Sequence, residues 1–305
     1  MHSAKHEPPE HLTSFSWLDQ QEASALGVLR DLEKVKLKSS KKLNLTRVHA
    51  SRVALRRWSS IWEILSADGW EDDFYRDKIE NKLKKLNRAL GSLRDLDVNL
   101  ELGKSYSLPE AVLLSWSKRR KNLGKKVSRK INKLNPEKLL AALKLHVGRR
   151  FFELEARRRN ADNGAGAGES AFDHMGAFLE MTEKSAHLLA MQAKTDEELH
   201  ELRLFIKRWR YILAEFFGLT TLELVKAQQL LGKHHDLTRL LNQLNNEVER
   251  LGPNKCPGLM EARSRLALEL AKVFDDIQPV IKSLPYGLRP HSKSSSRSVW
   301  GDAAH

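Results

Sequence analysis

Twice in this chain a histidine is followed, at fixed steps, by side chains able to grip phosphate oxygens. His49-Ala-Ser-Arg52-Val-Ala-Leu-Arg56-Arg57 reads H-x-x-R-x-x-x-R-R, and His200-Glu-Leu-Arg203-Leu-Phe-Ile-Lys207-Arg208 reads H-x-x-R-x-x-x-K-R, starting 151 residues later (200 − 49). On a helix advancing 100° per residue, positions i, i+3, i+7 and i+10 fall within about 80° of arc. His200, Arg203, Lys207 and Arg210 fill all four places, and His49, Arg52 and Arg56 fill the first three. Arginine offers a planar fork to phosphate and lysine a point charge, while histidine donates from one ring nitrogen when neutral and from both when charged. Like charges stacked at i, i+4 repel by tenths of a kcal/mol per pair. A ligand with several negative charges offsets that cost; the plainer alternative is a solvated basic face.

A second signature follows each stripe: Leu90-Gly91-Ser-Leu-Arg94-Asp95 in one half, Leu231-Gly232-Lys-His-His235-Asp236 in the other. Each is expected toward the end of the next helix. Glycine inside a helix costs about 1 kcal/mol relative to alanine, so Gly91 and Gly232 are expected to permit close helix approach. Asp95 and Asp236 are expected to position neighbouring Arg or His side chains. Lys84 and Arg88 extend the cationic lining in the first half, as Lys226 and Lys233 do in the second. The interval from His to Leu-Gly is 41 residues in one half (90 − 49) and 31 in the other (231 − 200), which places about ten extra residues near Ala67 to Asp73.

Three classes of function follow from these residues. Binding of a polyanion without chemistry is the leading one. Non-specific nucleic-acid binding is the alternative; neither a base-reading element nor an aromatic platform is visible, because Trp58, Trp62 and Trp209 fall on core faces. Catalysis is not expected. His234-His235-Asp236 has the look of an HD-type metal motif, but partner ligands at suitable spacing are missing and surrounding cations disfavour a divalent metal. No metal, cofactor or catalytic residue is therefore expected.

The elements that must carry these stripes are helices. Val48, Leu55, Trp58 and Trp62 form one apolar face, and Leu199, Leu202, Ile206, Trp209 and Leu213 another. Periodicity predicts helices over 15–37, from a cap at Asn44 or Thr46 to Ser66 with Gly69 ending it, 71–101, from Pro109 to Leu134, from Pro136 to Arg159, and over 171–193, 195–218, 220–251 and 257–284. Thr220-Thr-Leu-Glu223 has the form of a capping box. Strand signals are nearly absent, so the fold class is all-α, built by duplication. The expected divisions are a disordered N-terminus (1–14), a first helical half (15–160), a flexible Gly/Ala-rich linker (161–170), a second half (171–285) and a disordered tail (286–305).

The 53 Lys and Arg exceed the 39 Asp and Glu by 14, which favours phosphate-rich partners. Between residues 111 and 160, 16 cations face 3 acids, so most of that excess lies in one stretch. A single cysteine, Cys256, excludes an internal disulfide. Neither a transmembrane run nor a secretory leader is seen, and a cytoplasmic protein without membrane association is expected.

The segments VHASRVALRRW, LKKLNRALGSLRDLDV, LHELRLFIKRWRYILAEFF and AQQLLGKHHDL, in that order, resemble the CHAD domain, the conserved histidine α-helical domain. The resemblance covers roughly residues 15–285. It implies two pseudo-symmetric four-helix bundles around a basic central cavity that binds inorganic polyphosphate, and an association with polyphosphate granules. By position it implies contacts from His49, Arg52, Arg56 and Arg57 in the first half and from His200, Arg203, Lys207, Arg208 and Arg210 in the second. Lys84, Arg88, Arg94 and His235 join them on the same basis. Tyr211 and Glu215 match an R-Y-x-x-E pattern with packing and positioning roles. The strands of the triphosphate-processing CYTH domain that often accompanies the family are not seen, which implies a standalone member without hydrolytic activity.

Overall fold

The apolar periodicity becomes eight α-helices in the computed structural model, which describes residues 43–66, 75–134, 136–162, 171–217, 219–252 and 257–284, with positions 26, 27 and 30. They are α1 (Leu45–Leu65), α2 (Asn81–Ser105), α3 (Glu110–Leu134), α4 (Pro136–Asp162), α5 (Ala171–Gln192), α6 (Asp196–Phe217), α7 (Leu222–Leu251) and α8 (Pro257–Lys282). The described residues contain no strand, and the fold is all-α. The predicted helix 15–37 (apart from those three positions), the Gly69 stop, the whole Ala67–Asp73 insertion, the linker from 163 onward and both tails lie outside the described residues.

Several boundaries differ from expectation. The helix predicted over 71–101 opens with a π-helical turn, Tyr75–Glu80, and its α-helical part runs on to Ser105. The Leu-Gly signatures therefore sit in mid-helix, not near helix ends. Residues 161 and 162, assigned to the linker, are the last turn of α4. Asn44 caps α1, its Oδ1 accepting from the Arg47 amide at 2.9 Å. The Thr220 box does not form: Thr221, in extended backbone, caps α7 by accepting from the Leu224 amide. A complete box stands instead at α6, where Thr195 Oγ1 accepts from the Glu198 amide at 3.2 Å and Glu198 accepts from the Thr195 amide at 2.9 Å.

The predicted apolar faces are the core. Val48, Leu55 and Trp58 of α1 and Leu199, Leu202, Ile206, Trp209 and Leu213 of α6 are at most 2% exposed. Each such large side chain contributes roughly 1.5–3 kcal/mol by leaving water. Burying these faces makes α1 pack on α2 and α6, and α7 pack on α2 and α6, which closes a ring of four helices. The ring holds the two His-headed helices, α1 and α6, and the two Leu-Gly helices, α2 and α7. α3 flanks α2 and α8 flanks α7 from outside.

Buried polar struts fix the ring. Arg150, 1% exposed, donates from Nε to the Leu65 carbonyl at 2.7 Å and so satisfies the C-terminus of α1. Arg120 bridges α3 to Asp97 of α2 at 2.7 Å and to the Leu43 carbonyl at 2.8 Å. Trp116 of α3 donates to Glu247 of α7 at 3.1 Å. Burial pushes the Glu247 carboxyl up, but hydrogen bonds from Trp116 and Arg250 outweigh it and hold the group below its usual range. No helix among the described residues is long and apolar enough to cross a membrane.

Candidate anion site between four helices

Each ring helix delivers charged side chains to one place. α1 contributes His49, Arg52 and Arg56, and α6 contributes His200, Arg203 and Lys207. α2 supplies Arg94 and Asp95, and α7 supplies His235, Asp236 and Arg239. Arg52 feels Arg56, Asp95, Arg203 and Arg239; Lys207 feels Arg203, Arg56, Asp236 and Arg52. Cations from both copies of the repeat thus share one electrostatic neighbourhood. Arg239 escaped the sequence reading. It pairs with Asp95 and ties α7 to α2; its signal was its place one turn after Asp236.

Arg52 is held by a hydrogen bond from Nη1 to the Asn87 carbonyl at 2.9 Å, lying over Gly91. A Cβ on Gly91 would stand 2.6 Å from that Nη1. The glycine therefore makes room for a guanidinium, not for a neighbouring helix. Gly232 does neither, since a Cβ there would meet nothing within 4 Å. The close approach expected at Gly232 is absent among the described residues.

Arg52 and Arg203 occupy equivalent places in the repeat and share an unusual state. The Nε of each is shielded from solvent and meets no hydrogen-bond acceptor among the described residues. A buried donor left unmatched costs about 1–3 kcal/mol.

Protonation follows the same crowding. Burial, followed by Arg203 and Arg56, brings the Lys207 ammonium down to about 6. Burial, followed by Arg203 and His200, brings His235 down to about 3. Arg52 falls to about 10, chiefly through burial, and Arg203 is lowered by burial while Asp236 pulls it back. His49 and His200 are lowered by burial and by the neighbouring cations. Burial raises Asp236 although Arg203, Lys207 and Arg239 oppose it.

The Nδ1 atoms of His200 and His235 lie 3.0 Å apart, with ring centroids at 4.5 Å. At that distance one Nδ1 donates and the other accepts, so the accepting ring carries its proton on Nε2. The H-H-D run does not converge on a metal-like point. His234, 3% exposed, faces Asp196 at 3.3 Å, whereas His235 meets His200 and Asp236 feels Arg203.

The other predicted site residues are spread around the ring. Arg208 pairs with Glu63 of α1 at 2.7 Å and lies over Phe205. Arg210 donates to Gln228 of α7 at 2.7 Å and lies over the buried Tyr211 ring. Both tie α6 to its neighbours. Arg57 is half-buried, about 140° of helical arc from Arg52. Lys84 pairs with Glu80 at 2.7 Å, Lys233 pairs with Glu269, and Arg88 is exposed on α2. The Glu215 side chain lies outside those described.

Fold and site define an all-α protein built on a duplicated, histidine-headed cation helix. A family model of the CHAD domain matches residues 36–245, and the chain belongs to that family. Among solved structures it is similar to the crystal structure of the CHAD domain from the plant Ricinus communis, with 20% identity, a TM-score of 0.62 and coverage of 88% of this chain and 93% of that one. It is also similar to PptA from Streptomyces chartreusis, with 14% identity, a TM-score of 0.58 and coverage of 87% and 96%. At these identities the likeness is one of fold. No curated protein matches the chain.

Proposed function

We propose that this protein binds inorganic polyphosphate inside the α1–α2–α7–α6 ring, at the basic central cavity expected of two pseudo-symmetric bundles, and acts at polyphosphate granules as a binder without chemistry of its own. The observation that carries the reading is the meeting of Arg52, Arg56, Arg203 and Lys207, from both copies, with the Nε donors of Arg52 and Arg203 unmatched. Four cations on two helices suit an extended chain with one charge per unit better than a single phosphate. Neutralising four phosphates gives a log-affinity slope against log salt of about −3 by the counterion-release rule for single strands.

The Arg203→Ala/Lys207→Ala double variant is expected to lose roughly 100-fold in polyphosphate affinity, since each charge-assisted contact contributes about 1.5–3 kcal/mol, with unchanged far-ultraviolet circular dichroism. Unchanged binding by that folded variant contradicts the assignment. Competition between polyphosphate and duplex DNA at matched phosphate concentration separates this function from non-specific nucleic-acid binding. Phosphate release with Mg²⁺ or Mn²⁺, compared with His235→Ala, tests the absence of catalysis.

A further inference from the structure

The repeat that brings cations to the ring also brings one carboxylate from each half, and the two are treated differently. Asp95 follows Gly91 by four residues on α2, and Asp236 follows Gly232 by four on α7. Asp95 pairs with the Arg239 guanidinium of α7. Asp236 makes no ion pair among the described residues, and burial raises its carboxyl. The difference lies three residues further on. Counted from the glycines, Arg239 (232 + 7) corresponds to Val98 (91 + 7). The first half thus offers Asp236 no arginine, while the second half adds one that reaches across to the carboxylate of the first.

Arg239 belongs to the site by position. On helical geometry His235, Asp236 and Arg239 lie within about 100° of arc on α7. His235 meets His200 of α6 at 3.0 Å, which turns this face of α7 toward the cation stripe. Arg239 acts on Arg52 of α1, on His200 and Arg203 of α6, and on His235 and Asp236 of its own helix. Asp95 in turn acts on Arg52 and Arg203, the two arginines whose Nε meets no acceptor among the described residues.

The pair is open enough to exchange. The Arg239 and Asp95 side chains are 36% and 31% exposed, and an ion pair so accessible to water contributes little. A structural Arg–Asp tie in this protein is built otherwise: Arg120 meets Asp97 where the carboxylate is 1% exposed, and it also donates to the Leu43 carbonyl. Nor is Asp95 needed to hold Arg52, which the Asn87 carbonyl already anchors. Phosphate oxygens fit the guanidinium fork as a carboxylate does, and a chain of them brings several charges where Asp95 brings one.

We infer that Arg239 is a further polyphosphate contact held in reserve: Asp95 occupies its guanidinium in the empty ring, and an entering phosphate chain takes that guanidinium over. This rests on the polyphosphate reading above and adds a built-in competitor to it. The test titrates long-chain polyphosphate into the unsubstituted protein, Arg239→Val, Asp95→Asn and the double variant, with circular dichroism and melting temperature recorded for each. Arg239→Val, which copies the side chain of the equivalent place, is expected to lose about tenfold in affinity and to flatten the salt slope by about 0.7. Asp95→Asn, nearly the same in shape, is expected to tighten binding severalfold. That gain is expected to shrink in the double variant, where no guanidinium remains to be released.

A tie that only holds α2 to α7 would lower the melting temperature in both variants and move affinity in one direction. Weakened or unchanged binding by Asp95→Asn therefore overturns the exchange, even if Arg239→Val fails to fold. Equal gains from Asp95→Asn with and without Arg239 also overturn it, since the carboxylate then acts through its charge alone. A folded Arg239→Val that binds as the unsubstituted protein does removes the contact. Failure of the unsubstituted protein to bind removes the central reading and this one together. Loss in Arg203→Ala/Lys207→Ala, with no change in Arg239→Val or Asp95→Asn, removes this one alone.

Discussion

The two cation stripes share a spacing but not a setting. On α1, His49 is exposed and the stripe continues as Arg56-Arg57; on α6, His200, Arg203 and Lys207 are all half-buried and face His235, Asp236 and Arg239 of α7. Arginine keeps its proton across the physiological range, whereas a buried lysine surrenders it readily. The first copy therefore supplies fixed charge. In the second, burial suppresses charge: Lys207, at about 6, and its α7 neighbour His235, at about 3, are largely neutral at pH 7. The shared spacing sets where the side chains go, and burial then sets which of them are charged.

Removing one fork from each copy gives the largest expected effect. Arg52→Ala and Arg203→Ala are each expected to weaken polyphosphate binding by about 10- to 100-fold in fluorescence or calorimetric titrations. A loss confined to one of them breaks the equivalence of the copies.

Next comes pH. Lys207 has a lowered value in the folded protein and its ordinary one when unfolded, so its burden on the empty fold is full below about 6 and disappears as pH rises toward the ordinary lysine range. His200 and His235 act in the same sense at lower pH, and Asp236, raised by burial, acts in the opposite sense just above the ordinary carboxylate range. Thermal stability of the empty protein is thus expected to rise with pH above 6. A bound polyanion restores the Lys207 proton, so affinity is expected to fall about tenfold or more between pH 6 and 8. Lys207→Arg is expected to flatten that profile; an unchanged profile in the variant assigns the pH dependence elsewhere.

The smallest effects separate the two glycines. Gly91→Ala places a methyl group against the Arg52 guanidinium and is expected to weaken binding severalfold with little change in melting temperature. Gly232→Ala meets open space and is expected to stabilise the fold by up to about 1 kcal/mol with binding unchanged. Equal behaviour of the two variants in both measurements would erase the distinction.

Helix periods and core faces were readable in the sequence because burial of Val48, Trp58, Ile206 and Trp209 follows directly from 3.6-residue spacing. Capping was ambiguous where two threonines adjoin: Thr220 and Thr221 both satisfy the residue rule, and only the extended backbone of Thr221 selects it. The π turn at Tyr75–Glu80 leaves no mark that periodicity can register. Within the site, the stripes themselves were legible. The fates of Arg208 and Arg210 were not, because their partners Glu63 and Gln228 come from other helices. Arg239 was missed because it belongs to neither repeated pattern, though it secures Asp95 beside Arg52.

A crystal structure with a polyphosphate of defined length tests the central claim most directly. Phosphate oxygens within hydrogen-bonding distance of Arg52 and Arg203 at once, between α1 and α6, are the expected result. A chain that touches only one copy, or leaves the ring interior empty, contradicts the account.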